Sequence, residues 1–172
     1  MFLAAFVLYG VGASIGGWLG VVFVAANGAA VVGIGIVVAR LLRASQPRLA
    51  GMYLLGRVVE ALLLLVGMVV LATGGDQGVA DLCYRAAMLF LGVVSVFTWP
   101  VVARVGAIPG WLGWWGAVGY TLLAVGVLVA FGSVFEMALL VPGGLFEVVL
   151  GVRLLAVGFK DSEAFKRRGD FP

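Results

Sequence analysis

Val134-Phe-Glu-Met-Ala-Leu-Leu-Val-Pro142-Gly143-Gly144-Leu-Phe-Glu147-Val-Val-Leu-Gly-Val-Arg153-Leu-Leu-Ala-Val-Gly158 decides how this chain is read. It is long and apolar enough to cross a hydrocarbon core, which needs ~20 helical residues. Yet it carries a proline, two adjacent glycines and, five residues after the proline, a carboxylate. An ionisable group at such a depth is expensive and points to a bundle interior or a cavity. A Pro-Gly-Gly interruption is the mark of a helix that breaks or kinks near a site.

The rest of the chain gives that segment its setting. Of 172 residues, 64% are hydrophobic and 11% charged, against about 25% charged in a soluble domain. So much apolar surface requires lipid as the outer solvent. The fold class is therefore all-α, a polytopic transmembrane helix bundle. Spans are expected at about 2–23, 27–43, 50–73, 81–104, 111–131 and 134–158. Asn27-Gly28 is read as the first turn, since this dipeptide is a strong turn signal. The alternative is five spans, with residues 2–43 forming a long tilted helix and a re-entrant piece. No basic residue precedes the apolar run of residues 2–9, so the first helix is read as retained and not as a cleaved leader. Residues 1–159 form one membrane domain and 160–172 a charged tail.

Charge orients the bundle. With six spans, Arg40, Arg43, Arg48, Arg104, Lys160, Lys166, Arg167 and Arg168 share one side. By the positive-inside rule that side, with both termini, is cytoplasmic. Trp111, Trp114 and Trp115 are interface anchors at the inner end of the fifth span. The expected location is the bacterial cytoplasmic (inner) membrane, and membrane lipids are the first partners. A protein partner or a homo-oligomer stays open, and the net charge of +3 is no signature of nucleic-acid binding.

Several chemistries are disfavoured. Histidine is absent and cysteine occurs once, at Cys83. That removes the usual haem and zinc ligands and the usual proton shuttle. No cofactor, no metal and no catalytic residue is assigned, and the chain is not read as an enzyme.

The charges inside the spans carry the remaining information. Arg57 and Glu60 are three residues apart on one helix face, with Gly56, Gly67 and Tyr53 along the same seam. Gly143 and Gly151 flank Glu147 at four residues on either side. At 1.5 Å per residue, Glu60 and Glu147 both fall near the midplane. An intramembrane cluster of Arg57, Glu60 and Glu147 is expected, with Arg153 and Arg85 as further cations. The helix is expected to break or, more readily, to kink at Pro142, Gly143 and Gly144. Gly12, Gly16 and Gly20 form a packing stripe, read first as a contact within the monomer and second as a contact between copies.

Three motifs together resemble a known family. They are Arg57-Val58-Val59-Glu60-Ala61, then Ile108-Pro109-Gly110-Trp111-Leu112-Gly113-Trp114-Trp115-Gly116, then Pro142 through Glu147 to Val157-Gly158-Phe159. In this order and spacing, over roughly residues 37–160, they resemble the bacterial integral membrane proteins grouped as "domain of unknown function 4386". The chain departs from that pattern in a shorter loop after the first helix, in Arg153 and in Val157. The resemblance implies a six-helix membrane fold and no particular activity.

Three functions remain. The favoured one is a structural or accessory membrane subunit in which an Arg/Glu cluster locks helices together. The alternative is a small ion- or proton-coupled transporter using Glu60 and Glu147 near the midplane. An intramembrane enzyme comes third. A cavity reaching Glu147 argues against a purely structural role, and a dry, packed Glu147 argues for one.

Overall fold

The computed structural model describes residues 2–129 and 133–157. Among them are six helices: α1 (Phe2–Ile15), α2 (Gly17–Leu42), α3 (Pro47–Ala72), α4 (Gln77–Arg104), α5 (Gly110–Val129) and α6 (Val134–Val157). α2 through α6 are long and apolar enough to cross a membrane; α1 is shorter. Helices are the natural solution here, because lipid offers no partner for an unpaired backbone N–H or C=O. Short links contribute their own chemistry. Pro47 opens α3, where its missing N–H has no intrahelical acceptor to lose. Asp76 caps α4 by accepting from the Gly78 N–H at 2.6 Å, as N-cap residues do.

Each helix packs on the next in chain order, and α1 returns to touch α6. The result is a ring, with α1–α6 as its thinnest seam. Apolar side chains face outward all round it, among them Leu55, Leu62, Phe90, Phe97 and Leu128. This is the inverse of a soluble bundle and fits lipid as the surroundings.

The start of the chain departs from the sequence reading. The turn lies at Gly16 and Gly17, with φ +68° and +56°, and not at Asn27-Gly28. Only glycine takes such angles freely, so this pair outweighs the Asn-Gly signal. Asn27 and Gly28 lie buried within α2. Gly28 sits where an added Cβ would come within 3.3 Å of the Ala61 Cβ, so α2 and α3 approach closely there. The three-glycine stripe does not face one neighbour. Gly16 is the turn itself, and Gly12 and Gly20 face each other across it: a Cβ on Gly12 would lie 3.1 Å from the Gly20 carbonyl oxygen. This is a contact within the monomer.

α6 runs unbroken through Pro142, so of the two expectations the full break is set aside. Proline removes one backbone donor, but a full break would expose several more groups to lipid. The glycines after it serve packing. A Cβ on Gly119 would lie 2.9 Å from the Gly143 Cα, so α5 and α6 touch backbone to backbone at that level. The expected tail, 160–172, lies outside the described residues, as do Gly158 and Phe159 of the third motif.

Candidate functional site

Tyr53, Arg57 and Glu60 lie on one face of α3, separated by four and three residues, so their side chains meet. The Arg57 Nη1 donates to Glu60 Oε2 at 3.0 Å. Its Nε and Nη2 donate to the Tyr53 hydroxyl at 3.0 and 2.9 Å. The stem of Arg57 packs against Gly35 of α2, where a Cβ would be 3.0 Å from the Arg57 Cβ. Three buried residues thus satisfy most of one another's polar atoms.

Two further helices complete the cluster. The backbone contact of Gly119 with Gly143 brings Tyr120 of α5 beside Glu147 of α6, one residue and one turn further on. The Tyr120 hydroxyl donates to Glu147 Oε1. Arg57 Nη2 reaches that hydroxyl at 3.5 Å and Glu147 Oε1 at 3.7 Å. The two carboxylates therefore differ in standing. The Glu60 side chain is 6% exposed and held by a direct charge-assisted bond, whereas that of Glu147 is 21% exposed and only loosely paired with Arg57.

Glu147 owes that exposure to a cavity of about 570 Å³ inside the ring. All six helices line it. Its walls are largely apolar, with Val31, Leu64, Leu91 and Leu123 among them. Its polar wall groups include Arg57, Glu60, Glu147 and Asn27. Asn27 is 3% exposed and its amide bonds to no described residue. On one flank Tyr9 of α1 stacks on Tyr84 of α4, with ring centroids 6.3 Å apart.

The cavity is closed at one end and open at the side. Behind the charge cluster, Trp99 packs edge-on against Tyr53 and Phe146, and Phe146 against Tyr120. All four rings are buried, so this aromatic plug seals the end nearest the start of α3. Laterally, Met137, Val141 and Leu145 border the cavity while facing outward. They recur every fourth residue, so one stripe of α6 forms the lip of an opening beside α1.

The structure thus brings Arg57, Glu60 and Glu147 together. Arg153 is not with them. It lies six residues beyond Glu147, about 240° round the helix, and its Nη1 is buried without a hydrogen-bond partner among the described residues. Arg85 does not line the cavity either. Trp111 and Trp114 are exposed, and Trp111 stacks on Trp115 at 6.1 Å. Four polar lining residues escaped the sequence reading: Tyr9, Asn27, Tyr84 and Tyr120. Asn27 was hidden by its turn-like glycine neighbour, although an amide deep in an apolar run was a usable signal. Tyr120 was hidden because a tyrosine in an apolar helix looks like packing.

Residues 77–158 match the family described as Domain of unknown function (DUF4386). This is the family that the three sequence motifs resemble. The matched stretch runs from α4 through α6 and contains Tyr120, Pro142 and Glu147, together with the Ile108–Gly116 motif. Arg57 and Glu60 fall outside it. No curated protein and no solved structure matches the chain.

Proposed function

We propose that this membrane protein is an intramembrane binding protein or carrier whose site is the central cavity, with Glu147 as its ligand-facing group. One observation carries this reading: the Glu147 carboxylate borders an open cavity, whereas Glu60 is tied to Arg57. A device built only to lock helices has no use for a cavity of this size beside its charges. The volume lies within the ~300–1,000 Å³ usual for small-molecule sites, as does the pattern of apolar walls with a few convergent polar groups.

The locking role and the binding role fall to different residues. Arg57, Glu60 and Tyr53 stiffen α3 and present a fixed ion-paired centre. Tyr120 bridges that centre to Glu147. Glu147 exchanges partners between Tyr120, Arg57 and whatever enters. Ion coupling is the finer version of this reading, because carboxylates inside membrane spans mark ion and proton pathways. Arg40, Arg43, Arg48 and Arg104, which flank the α2–α3 and α4–α5 links, support a cytoplasmic placement of the plugged end, in a bacterial inner membrane, with both termini on that side. The cavity then faces the bilayer and the outer half.

Native mass spectrometry of the full chain, released gently from membranes, tests the reading. The wild type is expected to carry a non-covalent small-molecule adduct that Glu147→Gln lacks, while both variants keep the same helical content and melting temperature. Glu147→Gln unfolding as readily as Arg57→Ala, with no adduct on the wild type, would return the cluster to a purely structural role.

A further inference from the structure

Resting on that reading of the cavity, we infer that its ligand is an amphipathic organic monocation, entering from the bilayer through the α1–α6 side. Charge comes first. Among the described residues lining the cavity, Arg57 is the one cation, and Glu60 and Glu147 are two carboxylates. Arg57 and Glu60 neutralise each other at 3.0 Å. The remaining formal charge is one negative, and it belongs to the carboxylate with the greater exposure. A charge in so apolar a site is costly unless paired, and Arg57, 3.7 Å away and already engaged with Tyr53 and Glu60, pairs it weakly. A single positive group on the ligand completes the pairing. A neutral or anionic ligand leaves it undone.

The walls point the same way. Tyr9, Tyr84 and Tyr120 all line the cavity, and aromatic faces are the usual surroundings for weakly hydrated organic cations. A small inorganic cation is a poor fit, because it needs several oxygen ligands in place of its hydration shell. Among the described lining residues, the side-chain oxygens come from two carboxylates, three tyrosines and Asn27, against broad apolar walls. Those walls match a hydrophobic body. Asn27, its amide bonded to no described residue, supplies a second polar anchor for a ligand that carries a hydroxyl or carbonyl as well.

The route follows from the ring's construction. α1 is the shortest helix, hinges on Gly16-Gly17 and meets α6 along the thinnest seam. Met137, Val141 and Leu145 border the cavity from the outward face of α6. An amphipathic cation partitioned into the lipid meets this apolar lip before it meets Glu147. The aromatic plug of Tyr53, Trp99, Phe146 and Tyr120 blocks the opposite end.

The test measures equilibrium binding of radiolabelled tetraphenylphosphonium, with tetraphenylborate as its size-matched anion. The full-length protein is held in nanodiscs of phosphatidylcholine, whose zwitterionic headgroups give the cation no surface charge. Empty nanodiscs set the background. Saturable phosphonium binding at one site per chain is expected, at least tenfold weaker in Glu147→Gln and unchanged in Asp81→Asn. Tyr9→Leu should weaken it about threefold to tenfold and serves if Glu147→Gln does not fold. Borate binding that is equal or tighter, or phosphonium binding no greater than in empty nanodiscs, overturns the inference. If borate or a neutral ligand binds and needs Glu147, the cavity reading stands and only the charge assignment fails. If phosphonium binds equally to wild type, Glu147→Gln and Tyr9→Leu, both fail.

Discussion

Arg57 and Glu147 respond differently to substitution because they are buried differently. Arg57→Ala leaves Glu60 without its cation, and breaking a buried ion pair from one side costs about 3–5 kcal/mol. Urea or SDS unfolding should show a loss of that order. Arg57→Ala combined with Glu60→Ala should recover much of it, because Glu60 no longer stands as an uncompensated buried charge. Tyr120→Phe removes one hydroxyl and little volume. Hydrogen bonds between helices in membrane proteins average about 0.6 kcal/mol, so its melting temperature should fall only slightly. The same variant frees Glu147 from its closest donor and should alter ligand affinity more than stability. Of these residues, Arg57, Glu60 and Glu147 were legible in the sequence because charges inside apolar spans stand out. Tyr120 and Asn27 were not, since neither carries a charge and each fits an ordinary explanation.

At the level of elements, glycine decides the register. Gly119 and Gly143 let α5 and α6 approach until Tyr120 reaches Glu147. Gly119→Leu would place side-chain atoms where the α6 backbone now lies, so the helices must separate. A loss above about 2 kcal/mol is expected, as for other overpacked contacts, together with weakened ligand binding. Gly16→Ala touches nothing within 4 Å, yet its φ of +68° is unfavourable for any residue with a Cβ. Its penalty of roughly 1 kcal/mol is conformational and should appear as faster protease cleavage between α1 and α2. The α3 to α6 spans could be read from apolar length and from the loops at 44–46, 73–76 and 105–109. The α1–α2 junction could not. Residues 2–43 contain many glycines and no charge before Arg40, so hydropathy alone gave no position for the turn, and Asn27-Gly28 offered a stronger local signal than the true hinge. In α6 the sequence left a kink and a break both open, and the helix does not break. Pro142 marks where one backbone donor is missing, but whether a helix then breaks depends on its surroundings, which the sequence does not print.

On the scale of the whole molecule, the ring explains why one chain can hold charges without collapsing around them. Six helices in sequence order enclose space, and the aromatic plug closes one end of it. A membrane class, a helical bundle and a midplane cluster followed from composition and spacing. The cavity did not, because enclosed volume depends on how six helices tilt and which face each presents. That volume is what shifts the balance from a helix lock to a binding site. The central claim is that Glu147 is open to small molecules from the bilayer while Glu60, tied to Arg57 and less exposed, is shielded from them. Treatment of the full-length protein in nanodiscs with dicyclohexylcarbodiimide, an apolar reagent for protonated carboxyls, at mildly acidic pH measures this directly once peptides are mapped by mass spectrometry. Modification concentrated on Glu147, with Glu60 spared, is the predicted result; no modification of Glu147, or equal modification of both, would contradict it.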